Sequence, residues 1–383
     1  MKTNPGRRRW PALFLFVLIV SLTTWGVTVL AQEAPPLAEQ MADRPDLPIY
    51  NTRPADQRGE APECVGPNLL ENPSFEGQYS AWVPPNGHPD CPAGICTTAQ
   101  MAEGWTPYWR SHNPLDDPWI IVNPEYKPAE SFFVNPPRVR TGERAQQYFT
   151  FWATHEGGIF QQQTVIPGAE YCFSVWGHSW SARDDDDAFT GPDDGIIVQK
   201  IGIDPTGNTD WQAGSIQWGE NWVVPDYYDA FMQRGVATGP LLTVYAYSQP
   251  TYAMKHNDIY WDDAALVLVE MRPQEAFVFL ELIGEQGSRN VPLPINLSGP
   301  SDMTWTATIQ PGANIPGLSL GALNGGAGQD TTLQYNSSGA APGVYTATIV
   351  ITASEAVAGS PATIQVALSI ADEFAGLYLP IIK

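Results

Sequence analysis

The sequence predicts an all-β protein built from two successive β-sandwich bodies. Three observations carry that prediction. Short runs alternate apolar and polar residues with a period of two, as half-buried strands do. Gly (34) and Pro (36) are dense enough to supply many turns. Charged residues make up only 16% of the chain, too few for long solvent-facing helices. The length of 383 residues suits two domains plus extensions. The formal charge of −22 repels phosphate backbones and anionic lipid, which argues against nucleic acid as a partner.

The chain opens with a segment that reads as an address. Residues 1–31 hold a basic start (Arg7, Arg8, Arg9), an apolar stretch from Ala12 to Leu30, and Val29-Leu30-Ala31 where signal peptidase cuts. A cleaved signal peptide is expected. An uncleaved anchor is the alternative, because about 20 apolar residues span a bilayer. Both place the body extracellularly or at the cell surface, and no further apolar stretch of that length follows. No membrane span is expected after signal cleavage. Residues 32–63 lack apolar periodicity and carry Pro35, Pro36, Pro45, Pro48, Pro54 and Pro62, which reads as an extended linker.

The first body, residues 64–272, holds all five His and all four Cys and is dense in Trp, Tyr and Asp. Strand patterns cover 144–152, 158–166, 171–180, 195–203, 241–248 and 258–269, with turn residues between them. Along 171–180, Tyr171, Phe173 and Val175 fall on one face, while Cys172, Ser174, Trp176, His178 and Trp180 fall on the other. With no βαβ alternation and no amphipathic helix pattern, a two-sheet sandwich is expected. The second body, residues 273–372, changes to Val, Ile, Leu, Thr, Ala and Gly with a single Trp, Trp305. Seven short strand patterns (276–283, 290–297, 303–309, 318–321, 331–335, 343–353, 362–370) in about 100 residues resemble an immunoglobulin-like or BACON-like sandwich. The Cys…Trp…Cys pattern of antibody domains is absent. A spacer or adhesion role is expected for this body. Residues 373–383 form a C-terminal tail ending in LYLPIIK, for which an edge strand and a surface-retention tag are both open readings.

Four Cys in an exported protein predict two disulfides. Three pairings are possible. Cys91–Cys96, closing a short loop, with Cys64–Cys172, tying the linker end to a strand, is the favoured one.

NLLENPSFEG (68–77) opens the first body and NDIYWDDAALVLVE (257–270) closes it, with aromatic-Gln-rich strands followed by Val-x-Pro-Gly between them. These segments resemble the galactose-binding-like jelly roll of carbohydrate-binding modules in the family 4/9 and 22 group. The resemblance covers about 200 residues. It implies that the first and last strands are neighbours, and that carboxylates near both ends share one structural Ca²⁺. Glu76 and Asp262 are the implied ligands, with Asp263 as the alternate; Ca²⁺ takes six to eight oxygens. The segments 84–104 and 183–195 read as inserted loops that depart from the family pattern. The acid run Asp184–Asp187 lacks the spacing of a calcium loop and reads as solvated.

Sugar recognition needs flat apolar platforms with polar groups at their edges. The candidate groove residues are Trp105, Trp109, Trp152, His155, Trp176, His178 and Trp180. Large aromatics in a row on an outward face are unusual unless they are covered or used. Nucleophile-elbow, zinc-protease and phosphate-loop patterns are missing, as is a recognisable carboxylate pair for glycoside cleavage. The expected function is non-catalytic capture of an extracellular polysaccharide or cell-envelope glycan. A structural or adhesive surface protein without a sugar site is the first alternative, and a glycoside hydrolase the second.

Overall fold

A computed structural model of the chain describes residues 50–113, 121–132 and 136–373. The expected signal peptide, residues 32–49 of the expected linker and residues 374–383 of the tail lie outside them. The described residues are all-β, as expected, with one short 3₁₀ turn at Ala55–Gln57.

Two sheets form the first body. The front sheet runs, in spatial order, β13 (Asp229–Val236), β9 (Glu170–Ala182), β15 (His256–Leu268), β7 (Arg144–Thr150), β6 (Glu125–Glu130), β4 (Cys96–Ala102) and β3 (Tyr79–Trp82). The back sheet runs β1 (Asn51–Thr52), β12 (Trp222–Val223), β10 (Ile197–Asp204), β14 (Leu241–Pro250), β8 (Gly157–Thr164) and β5 (Thr106–Trp109), with β11 (Gln217–Trp218) on β10. Between them lies a core to which Tyr148, Phe173, Val175, Ile259 and Trp261 contribute from the front, and Ile159, Ile201, Leu242 and Val244 from the back. Tyr171, Phe173 and Val175 point into this core, so the alternation read along 171–180 holds.

The opening segment lies against the closing strand. Asn68 donates from Nδ2 to the Ala264 carbonyl (2.9 Å), and its Oδ1 accepts from the Leu266 and Leu70 amides (3.0 and 3.1 Å). Leu69 N donates to Leu266 O and Ala264 N to Pro73 O. One asparagine thus satisfies backbone groups on both chain ends, where unpaired buried amides would be costly.

Strand β15 carries a bulge. Asp262 pairs with Trp176 and Ala265 with Ser174, so one extra residue sits between them, and Asp263 adopts φ +44°. Before the bulge the odd residues Ile259 and Trp261 face the inter-sheet core. After it Val267 and Val269 face away from that core, into the core of the second body. The bulge therefore lets one strand contribute to two cores.

The second body contains a five-stranded sheet, β17 (Ala276–Leu282), β25 (Ala362–Ala371), β24 (Gly343–Ala353), β20 (Thr304–Ile309) and β22 (Asn324–Gly326). It faces a three-stranded one, β18 (Ser288–Leu293), β23 (Thr331–Asn336) and β21 (Ser319–Leu320). Each of the seven sequence patterns has become a strand. A third small sheet joins the bodies: β16 (Glu270–Met271), β19 (Leu297–Pro300) and β2 (Cys64–Val65). The composition change at 272/273 marks a change of sheet, but the second body's core runs across it and includes Cys64, Cys172, Val267, Val269 and Met271.

Residues 50–63 differ from the free linker expected of them. They cross the front sheet as a strap. Asn51–Thr52 pairs in parallel with β12, Arg53 forms an ion pair with Asp229, and Ala61 packs on Trp176 and Ala230. Pro-rich composition suits this extended path as well as it suits a linker, so composition alone did not separate the two.

Both disulfides have the expected pairing, Cys64–Cys172 and Cys91–Cys96, closing loops of 108 and 5 residues. Loop-closure entropy makes the first worth more. Replacing Cys64 and Cys172 with Ser is expected to lower unfolding free energy by about 4–5 kcal/mol, against about 2 kcal/mol for Cys91 and Cys96. Denaturant titration of the two double variants checks the order.

Candidate functional site

The face of the front sheet turned away from the inter-sheet core carries three aromatic residues in a row on β9, and register sets their partners on β15. Trp176 lies opposite Asp262, His178 opposite Tyr260, and Trp180 opposite Asp258. One strand further, Tyr260 pairs with Gln147 and Asp258 with Phe149. Period-two alternation places all of these side chains on one face.

Most of that face is covered. Cys172 enters the second body's core, and Ser174 Oγ accepts from Cys64 N at 2.9 Å. Trp176 lies beneath the strap, where its Nε1 donates to Glu63 Oε2 (2.9 Å) and the Arg140 guanidinium sits 3.6 Å from the ring centre. At the opposite end the cover stops and leaves a cleft of about 500 Å³. Gln147, Phe149, Phe151, Trp180, Asp258 and Tyr260 line it, together with Lys127 and Glu130 from β6, Arg138 and His256.

The cleft floor is a connected polar network. Gln147 Nε2 donates to Asp258 Oδ2 (3.1 Å) and to Tyr260 Oη (3.2 Å), and Tyr260 O–H donates to the same Asp258 oxygen (3.0 Å). Arg138 reaches the Ala188 carbonyl at 3.1 Å and lies 3.9 Å from the Trp180 ring centre. His256 stacks on Trp180 with centroids 4.6 Å apart, and Asp185 anchors it at 2.8 Å. Asp185 also pairs with Lys255; the acid run is exposed, as expected, with this one side chain making ion pairs. Burial pushes the Asp258 carboxyl up to about 6 against the pull of nearby His256, Tyr260, Arg138 and Lys127. Burial also presses His178 down to about 3, with Arg138 acting in the same sense.

Three buried polar atoms on this face have no partner: Asp258 Oδ1, Trp180 Nε1 and His178 Nδ1. Four Phe and Trp side chains are exposed, Phe132 (72%), Phe189 (61%), Phe151 (54%) and Trp152 (42%), and each belongs to the cleft or follows closely in sequence a residue that lines or braces the cleft. Phe151 lines it and Trp152 adjoins Phe151. Phe132 follows Glu130 by two residues, and Phe189 follows the Ala188 that holds Arg138. Among the described residues no other Phe or Trp is exposed.

The seven groove candidates do not share one site. Trp180 lines the cleft, Trp152 follows the lining residue Phe151 in sequence, and His178 lies beside Tyr260. The others are elsewhere. Trp105 stacks on Phe75 under the opening segment (4.9 Å) and donates to Asn72 O. Trp109 is held inside the 84–104 segment by Asp90 Oδ2 (2.9 Å) and packs against His88. His155 is fully buried between the sheets, bonded to Ser248 Oγ (3.0 Å) and Thr150 Oγ1 (3.2 Å), and burial lowers it to about 3. Trp176 is under the strap. The segment 84–104 itself includes strand β4, paired with β3, so it is part of the sheet. Gln147, Phe149, Phe151, Asp258 and Tyr260 were missed as site residues. Their strands were read, but which alternate residues share a face with Trp180 depends on cross-strand register.

The calcium expectation also meets a different arrangement. Glu76, Asp262 and Asp263 do converge on one connection, residues 140–144, as a shared position requires. Yet Glu76 Oε1 accepts from the Glu143 and Arg144 amides (2.8 and 2.9 Å), and Asp262 accepts from the amides of Arg140, Thr141 and Asp263. Asp263 is paired with the Arg140 guanidinium and accepts from Thr141 Oγ1. Burial, reinforced by Asp263, pushes Asp262 up to about 7. Among the described residues no group of three or more His, Cys, Asp or Glu is placed to hold a metal ion. Oxygens already facing N–H donors and a guanidinium do not fit a calcium shell. Gly142, at φ +68°, is needed there because a Cβ would collide with Glu76 Oε1.

No protein-family model matches the sequence, and no curated protein matches it. Solved structures similar to it include the carbohydrate-binding module TmCBM61 in complex with beta-1,4-galactotriose, at 14% identity and TM-score 0.31, over 53% of this chain and 99% of that one. Another is the CBM22-1 xylan-binding domain from Paenibacillus barcinonensis, at 14% identity and TM-score 0.28, over 54% of this chain and 96% of that one. Both likenesses extend over about half of the chain.

If Arg140 supplies the positive charge at this connection, melting temperature is expected to be the same within about 1 °C in EDTA and in millimolar calcium, because nothing bound only by the folded state is removed. Arg140→Ala is expected to lower stability by about 1–3 kcal/mol in both buffers, since it removes the charged partner of Asp263 and the cation over Trp176. Thermal and denaturant unfolding in the two buffers check both outcomes.

Proposed function

We propose that this protein is a secreted, non-catalytic glycan-binding protein. Its first body holds polysaccharide at the cleft on the front sheet, and its second body acts as a spacer. The observation that carries the reading is a polar-floored cleft lined by the exposed Phe151, with the other exposed Phe and Trp of the described residues close in sequence to residues that line or brace it. Sugar rings present flat C–H faces that stack on aromatic rings and hydroxyl edges that need hydrogen bonds. Phe151 and Trp152 supply accessible rings. Trp180, between Arg138 and His256, serves as a wall rather than as a platform. Orientation comes from the Gln147–Asp258–Tyr260 network, which is held rigid by its own bonds. Two disulfides in the body that bears the cleft accord with an extracellular setting.

A glycan-array screen of the protein, followed by Phe151→Ala and Trp152→Ala, tests this. At least one array polysaccharide is expected to be retained, and each substitution is expected to weaken retention by about tenfold or more with unchanged melting. Reducing-sugar release from the retained polymer is expected to stay at background. Trp180→Ala is expected instead to destabilise the fold by about 3–5 kcal/mol, because it removes a buried ring. If no polysaccharide is retained, the reading falls and the structural or adhesive alternative replaces it.

A further inference from the structure

The glycan reading leaves open what kind of sugar group the cleft selects, and two orphaned atoms bear on that question. Asp258 and Trp180 are direct cross-strand partners on β15 and β9, and both line the cleft. Directly opposed residues have Cβ atoms about 5 Å apart, so the two side chains stand next to each other in the cleft lining. The residues are 5% and 7% exposed, yet Asp258 Oδ1 and Trp180 Nε1 have no hydrogen-bond partner. Such groups cost free energy until something pairs with them. One is an acceptor and the other can only donate.

We propose that Asp258 Oδ1 and Trp180 Nε1 together clamp one hydroxyl of a neutral sugar, its oxygen accepting from the indole and its hydrogen donated to the carboxylate. A hydroxyl is the sugar group that does both at one atom. A uronate carboxylate would meet Asp258 as a like charge, and an ammonium group has nothing to offer the indole N–H. The other Asp258 oxygen is already committed to Gln147 and Tyr260, which fixes the direction of the free one. The cationic groups of the cleft are in use as well: Arg138 on Ala188 O and the Trp180 ring, and Lys127 over Phe149 at 4.5 Å.

The clamp makes binding depend on pH. The charged and titratable groups facing Asp258 are Lys127 and Glu130 on β6, Arg138 ahead of β7, and His256 and Tyr260 on its own strand. The carboxyl titrates at about 6. Above that it accepts as an anion. Below it, the proton goes to Oδ1, where no donor is present, and the charge-assisted bond to the hydroxyl is lost. Affinity is therefore full above about 6 and falls as pH is lowered through it.

This inference rests on the glycan reading, and the test separates the two. Retention on soluble xylan and galactan, with polygalacturonate as the anionic counterpart, is measured by affinity electrophoresis at pH 7.5 and pH 5. The wild type is expected to hold a neutral polymer in preference to polygalacturonate, about tenfold more weakly at pH 5, in step with the ionised fraction of Asp258. His256→Gln is expected to keep that pH dependence. Asp258→Asn is expected to bind weakly at both pH values with a flat profile. If the Asn variant does not fold, Trp180→Phe carries the test, with weaker binding and the pH dependence retained. Neutral-polymer binding that is flat with pH, equal affinity in Asp258→Asn, or preference for polygalacturonate overturns the clamp and leaves the glycan reading standing. Retention of none of the polymers at either pH overturns both.

Discussion

The pairing of β9 with β15 is the interaction on which the rest depends. Each strand is 13 residues long, and their shared register runs from His256 opposite Ala182 to Leu268 opposite Tyr171. A slip of one residue would turn every side chain to the opposite face. It would expose Phe173 and Trp261 and bury Asp258 without its network. The single tolerated irregularity, the bulge at Asp262-Asp263, has a purpose in the architecture. It reverses the facing of the last five residues of β15, so that Val267 joins Cys172 beneath the second body.

An aromatic outer face on a sandwich is a liability unless something covers it. This chain uses three covers in sequence along β9. The second body takes Cys172, the strap of residues 50–63 takes Trp176, and Tyr228 takes His178. Past the strap the face opens into the cleft, and the orphaned polar atoms of His178, Trp180 and Asp258 lie along this stretch. Cleft and cover are thus two consequences of one patterned face. The long disulfide strengthens the arrangement by fixing the start of the first body to β9, at the end of that strand covered by the second body.

The joint between the bodies is a structural element as well. Strand β19 of the second body pairs on one side with β16 and on the other with β2. Arg234 on β13 bonds both Glu170 in the first body and Glu355 in the second. A connection with backbone pairing, a shared core and an ion-pair bridge is stiff, so the orientation of the cleft is carried through to the second body.

Much of this was legible in the residues alone. Alternation along 171–180 showed which side chains enter the core, because facing in a strand is a local property of period two. Cysteine count and compartment led to the two disulfides, and the opening and closing motifs to the adjacency of the chain ends. Seven strand patterns of the second body were read from composition and turns, while the short Asn324–Gly326 was not. Short strands such as Thr106–Trp109 and Glu125–Glu130 were not, since Pro107 and Pro128 interrupt their patterns. What only the tertiary structure decided was which aromatic residues are covered and which polar atoms meet. Trp105, Trp109 and His155 have the same sequence signature as Trp152 and Trp180, but they lie under the opening segment, inside the 84–104 segment and between the sheets. Likewise Asp258 acquires its setting from Gln147 and Trp180, 111 and 78 positions away. Sidedness is written locally in a strand. Cover and cross-strand partners are long-range, and no local pattern specifies them.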